Sequence, residues 1–239
     1  MSFFKASTDK KVLQQGGSNH ITGSGLYPVT ILAPVVSTSG NGSTTVDMFV
    51  EYQGQKQIVY GNLRITNNDG SENTIGAKTF NQLMIIADLD EVSEPVSAEL
   101  PIGKKGAMKD ADVLEDLCDV EVIMRVQLEY SAYKGNIQEK KVIKAFFRAS
   151  DKATAEEIVN GSEVGVGYEK EEKYANNVTY KDNLTEEDIT AWIAAKRPKG
   201  TAGGGAGASA GGKKAAPSFG NKKKRFGKSE ADAEESGEE

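Results

Sequence analysis

Cysteine and histidine are almost missing from this chain: its 239 residues hold one of each, Cys118 and His20. No disulfide can close within it, and two such residues cannot assemble a Cys/His zinc site. A serine–histidine–carboxylate arrangement would have to use His20, which sits in the polar stretch GGSNHITGSG and reads as a solvated loop residue. Cys118, in VLEDLCDVEV, reads as a small apolar packing residue. Long apolar runs are absent too. No segment approaches the length of a membrane span, and the opening MSFFKASTDKK has no signal-peptide core. A soluble protein of the cytoplasm is the expectation, and the Asn-X-Ser/Thr matches at Asn41, Asn177 and Asn183 are then accidental.

Phosphate-loop and dinucleotide signatures fail as well. GSENTIGAKT puts five residues between Gly70 and Gly76 and Ala77 before Lys78, whereas a phosphate loop needs four residues and then Gly-Lys-Ser/Thr. GVG at 165–167 lacks a third glycine and its strand–turn–helix setting. DLDE and DADVLED lack calcium-loop spacing, so solvated charge is their reading. No catalytic set, metal site or cofactor signature can be assembled. A protein that is not an enzyme and carries no cofactor is expected.

Charge of one sign is missing from two neighbouring stretches. From Lys199 to Lys228 there are eight Lys or Arg and no acid, and from Glu230 to Glu239 six acids and no base. The chain as a whole carries −6 and this tail +2, so the body carries −8. An acidic body argues against indiscriminate binding to phosphate, so any nucleic-acid contact must rest on a local patch. The tail offers Phe219 and Phe226 as its only large apolar side chains. That is too little burial to offset ordering, so residues 199–239 are expected to be disordered.

What is present is strand signal. After a polar leader to residue 25, LYPVTILAPVV, TTVDMFVEY and KQIVYGNLRIT follow one another with the turns GNGS and QGQ between them. AKTFNQLMIIADLDE has helical spacing at Phe80, Leu83 and Met84. A mixed acidic region including PIGKKGAMKDAD reads as a loop, and DVEVIMRVQLEY and NIQEKKVIKAFFRA form a strand pair joined by SAYKG. Three strands, a helix and two strands is the order of the OB-fold, a partly open Greek-key barrel. The expected class is therefore mainly β (α+β): an OB-fold-like antiparallel five-stranded barrel over 26–150 with peripheral helices. An acidic helical extension follows over 151–198. There LTEEDITAWIAAKR carries a capping box at Thr185 and Asp188 and an apolar stripe of Ile189, Trp192 and Ile193.

The outward strand faces carry the candidate site. With Val59, Leu63 and Ile65 inward, Tyr60, Asn62 and Arg64 share the outer face, and Phe49 is outward on the strand before. With Ile143, Ala145 and Phe147 inward, Lys140, Lys144, Phe146 and Arg148 are outward, and Arg125 adds to the same hairpin. From Val122 to Arg148 six bases face two acids, a +4 hairpin in a −8 body. Rings interleaved with cations suit single-stranded nucleic acid: bases stack on the rings and cations follow the backbone. The competing reading buries Phe49, Tyr60 and Phe146 under the C-terminal helices.

With Phe49, Tyr60 and Arg64 on one face, GLYPVTILAPVVSTSGNGSTTVDMFVEYQGQKQIVYGNLRITNNDG, the Gly-rich tether and SEADAEESGEE together resemble the single-stranded DNA-binding proteins of tailed bacteriophages. The resemblance implies an OB-fold, coating of single strands during phage DNA replication or recombination, and residence in the host cytoplasm. It also implies an acidic tail (Glu230, Asp232, Glu234, Glu235, Glu238, Glu239) that competes with DNA and contacts a phage DNA polymerase, a primase/helicase or recombination proteins. Such tails commonly finish in an aromatic or apolar residue, whereas this one finishes Gly237-Glu238-Glu239. No membrane partner is expected, and a homo-oligomer stays open. Two other functions also stay open: a virion structural or assembly protein, and a strand-annealing nucleic-acid chaperone.

Overall fold

The computed structural model describes residues 19–196, and within them the alternating apolar segments fold as strands. In chain order the elements are β1 (Gly25–Thr38), β2 (Thr44–Tyr52), β3 (Gln55–Arg64), α1 (Thr74–Ile86), β4 (Val96–Leu100), β5 (Lys109–Val113), β6 (Val120–Tyr133), β7 (Asn136–Arg148), α2 (Ala155–Asn160), α3 (Val166–Glu172), β8 (Thr179–Tyr180) and α4 (Glu186–Lys196). The expectations placed on the leader up to residue 18 and on the tail from 197 lie outside the described residues.

β1 organises the sheet. Its first half pairs with β6, from Gly25 opposite Val126 to Ile31 opposite Val120, and its second half pairs with β5 at Val35 and Val36. β2 runs antiparallel along its other edge, and β3 pairs with β2. Two-residue turns close both hairpins: Gln53-Gly54 at φ 50° and 77°, and Lys134-Gly135 at φ 49° and 76°. Such turns match the natural twist of the flanking strands. The five strands β3-β2-β1-β6-β7 curl into an antiparallel half-barrel, the OB-fold-like architecture expected from the order of elements.

The half-barrel wraps one main core. Val29 and Ile31 of β1, Val46, Met48 and Val50 of β2, Val59 and Leu63 of β3, Val122, Met124 and Val126 of β6, and Ile143 and Phe146 of β7 all point into it. α1 closes its end with Leu83 and Ile86. The helix begins three residues earlier than its apolar spacing suggests, because Asn73 Oδ1 accepts from the Gly76 amide at 3.0 Å and caps it. Gly76 lets that first turn lie on β3: a Cβ there would sit 1.7 Å from the Arg64 carbonyl oxygen.

Two bulges reverse the alternation, and each changes what a side chain faces. In β1 the register slips at Leu32, so Ile31 enters the main core while Ala33 and Val35 turn to the opposite face. In β7, Ala145 pairs with Arg125 and Ile143 with Val126, leaving Lys144 as the extra residue. Ile143 and Phe146 therefore both point inward, and Phe147 packs on the far side against Ile123 and Tyr168. The outward placement expected for Phe146 is corrected by that bulge.

The region read as a loop after α1 holds an antiparallel hairpin, β4 with β5. Ala98, Leu100 and Ala111 of this hairpin pack against Phe49, together with Ala33, Val35 and Val113, and form a second, smaller cluster. Beyond the barrel, the β6–β7 hairpin is covered by the C-terminal extension: Leu128 and Tyr130 pack with Ile189 and Trp192 of α4. Thr185 and Asp188 exchange the hydrogen bonds of a capping box at the start of α4, at 2.9 and 3.2 Å. Of the stripe, Ile189 is buried and Trp192 partly so, while Ile193 is exposed.

Candidate nucleic-acid interface

The nine residues picked from sequence fall into two groups. Phe49 faces away from the main core as expected, but the β4–β5 hairpin covers it and leaves it 5% exposed. Phe146 is 1% exposed. Neither ring is open to a ligand. Three of the cations are committed to acids. Arg125 is buried, its Nε 2.8 Å from Glu171 Oε2 and its Nη2 donating to the Tyr174 carbonyl at 3.3 Å. Lys144 donates to Glu129 at 2.7 Å. Arg148 forms a bidentate pair with Asp151 at 2.9 and 2.6 Å. Glu171 and Asp151, brought by the extension, offset two of the hairpin's four surplus charges, while Glu129 is already counted within that surplus and draws in Lys181 as well.

Tyr60, Arg64 and Lys140 remain. Tyr60 projects from β3 with 62% of its surface exposed. Arg64 is exposed and lies opposite Thr45 on the same face of the β2–β3 ladder. The side chain of Asn62 lies outside the described part of the structure. Lys140 is exposed on β7, and among the described residues neither it nor its neighbour Lys141 enters an ion pair.

Of these, Tyr60, Lys140 and Lys141 meet at the open seam of the half-barrel, while Arg64 does not line it. Among the described residues no ladder joins β3 to β7, and the two strands approach at Gly61, where a Cβ would lie 2.3 Å from Ile143 Cδ1. Beside that contact the strands part. A groove of about 460 Å³ opens there, lined by Thr45, Asp47, Ile58 and Tyr60 on one wall and Glu139, Lys140 and Lys141 on the other. Lys141 and Glu139 were missed in the sequence because they alternate in phase with Ile143, the inward-facing residue, so sorting by face assigned them to the core side. A further exposed pair stands on the β6–β7 turn, where Lys134 Nζ lies 5.3 Å from the Tyr133 ring centroid.

Electrostatics on the two sides of the β6–β7 hairpin differ. Glu129 is buried, and burial works against its charge. Hydrogen bonds from Lys144 and from Lys181 outweigh that and hold its carboxyl below the usual range. Tyr130 is buried too, and burial, then the hydrogen bond to Glu139 at 3.0 Å, push its hydroxyl up to about 12. Cys118 is held up first by burial and then by Asp119, Glu115 and Asp116, which keeps it a thiol.

A second hollow of about 470 Å³ lies where α2 and α3 meet β7, but its charged lining is mostly acidic: Glu156, Glu157, Glu163 and Glu171 against Lys170. Glu157 there accepts the amides of Thr154, Gly165 and Gly167 at 2.8, 3.1 and 2.7 Å, so its carboxylate is spent on the loop before α3. Among the described residues no cluster of three or more His, Cys, Asp or Glu is arranged to hold a metal, and no helix is long and apolar enough to cross a membrane. No family model matches the chain, and comparison with curated proteins gives no relative.

Proposed function

We propose that the protein binds single-stranded DNA in the groove between β3 and β7, largely without regard to sequence. One observation carries the reading: an exposed ring, Tyr60, faces Lys140 and Lys141, which enter no ion pair among the described residues, across the open seam of an OB-fold-like half-barrel. Small barrels of this kind bind oligonucleotides on the face of their second and third strands, flanked by the first and last hairpin turns. Tyr60 and Arg64 stand on that face, and Tyr133 and Lys134 on the last turn. A ring offers every base a stacking surface, and unpaired lysines track phosphates, so neither contact requires a sequence. Duplex DNA offers no exposed base plane to Tyr60.

The resemblance to phage single-stranded DNA-binding proteins extends this reading to coating and protection of single strands during replication and recombination. In that setting the acids from Glu230 to Glu239 compete with DNA for the groove and offer replication enzymes a docking segment. The reading is tested by titrating fluorescently labelled dT oligomers, and then duplex of equal length, at several salt concentrations. Single strands should bind more tightly, with affinity falling as salt rises. Equal affinity for duplex, or no salt dependence, would overturn it.

A further inference from the structure

Phosphate repels carboxylates, yet two carboxylates, Asp47 and Glu139, line the groove. Glu139 is fixed there. Its Oε2 accepts the hydroxyl of Tyr130 at 3.0 Å, and Tyr130 is only 5% exposed. That ring is itself held by stacking with Tyr180 at 6.1 Å and an edge contact with Trp192 at 6.0 Å between centroids. Although Lys140 and Lys141 follow it directly, Glu139 forms no ion pair among the described residues. Its second oxygen therefore keeps its lone pairs for whatever enters the groove. A strand lying here must turn base edges, not phosphates, toward that oxygen.

Resting on the reading above, we infer that the groove favours bases carrying an exocyclic amino group, cytosine over thymine, and that Glu139 sets this preference. A carboxylate accepts a hydrogen bond from the cytosine N4 amino group, whereas thymine presents an oxygen at the same place. The amino group is satisfied, and the carbonyl is repelled. Tyr130 is the positioning residue: its hydroxyl occupies one carboxylate oxygen and orients the other. The preference is modest, one contact per occupied groove, and sits on top of stacking and phosphate contacts that ignore sequence.

The test compares dC and dT oligomers of equal length by anisotropy with the full chain at pH 8, where cytosine is neutral. The unaltered protein should bind dC about five- to tenfold more tightly than dT, the worth of one charged base contact. Glu139→Gln should bring the ratio close to one, because the amide loosens dC and no longer repels dT. Tyr130→Phe keeps the ring and removes only the hydroxyl, so it should lower the ratio while the far-ultraviolet circular dichroism stays unchanged. A ratio of one in the unaltered protein, or a ratio that survives Glu139→Gln, overturns this inference while leaving single-strand binding intact. Failure of both oligomers to bind overturns the binding reading and this inference together.

Discussion

Tyr60 and Phe146 are both rings that alternation assigns to an outer strand face, yet one is 62% exposed and the other 1%. Their substitutions should separate cleanly. Phe146→Ala removes a ring from the centre of the main core and should cost about 3–5 kcal/mol of stability, read from denaturant unfolding. Tyr60→Ala should leave stability within about 0.5 kcal/mol of the parent. It should weaken dT binding by about 1–3 kcal/mol, the worth of one base–ring stack. Unfolding by Tyr60→Ala with unchanged affinity would make the ring a packing residue. The position of Tyr60 was legible because Val59 and Leu63 fix its phase. That of Phe146 was not: two adjacent phenylalanines fit either phase, and the bulge at Lys144 that decides between them leaves no hydrophobic signature.

At the scale of elements, the five barrel strands and α1 could be read from alternation and helical spacing, since each buries one face in a shared core. The β4–β5 hairpin could not. VSAEL and KDADV do alternate, but each is only five residues long, its apolar positions are few and mostly small, and acids sit between them, with Glu99 opposite Asp110, so the signal was too weak to announce a strand. Missing that hairpin meant missing the cover over Phe49. Closure of the half-barrel rests on a small residue that sequence reading passed over: Gly61 admits Ile143. Gly61→Ala should cost about 1–3 kcal/mol through overpacking. The cost should shrink in an Ile143→Ala background, which a double-mutant cycle would show as favourable coupling. Independent, additive losses would mean that the two strands do not press on each other here.

The extension is fastened to the hairpin by Glu129, which draws in Lys144 of β7 and Lys181 just after β8. Because the folded state holds the Glu129 carboxyl below its ordinary range, its contribution is complete above that range and is lost as pH falls through the lowered value. Trp192, the only tryptophan, packs against Tyr130 and reports on this docking. Glu129→Gln should therefore shift Trp192 emission to the red at neutral pH and lower stability by about 1–2 kcal/mol, the loss of charge-assisted hydrogen bonds. The parent should show the same shift only on acidification. Identical emission of the two proteins across the pH range would show that the clamp does not hold α4.

For the whole molecule, the described body is acidic, and the structure separates its basic hairpin charges: Arg125, Lys144 and Arg148 are paired, while Lys140 and Lys141 line the groove and enter no ion pair among the described residues. Sequence counting found the surplus and could not tell committed cations from available ones, because Glu171 and Lys181 reach the hairpin from some fifty residues downstream. The acids after Ser229 should act on the remaining patch. Deleting residues 229–239 should tighten dT binding, most at low salt, where charge is least screened. Unchanged affinity would leave the acids no role in shielding the groove. The central claim, that single strands are held at the seam between β3 and β7, is tested most directly by the salt dependence of dT binding in the full chain against its Lys140→Ala/Lys141→Ala variant. Each lost phosphate contact lowers the log–log slope by about 0.7 for a single strand, so the variant should bind more weakly with a slope reduced by about 1.4. A variant with the parent's affinity and slope would contradict the account and move the phosphate contacts elsewhere, first of all to the basic run from Lys213 to Lys228.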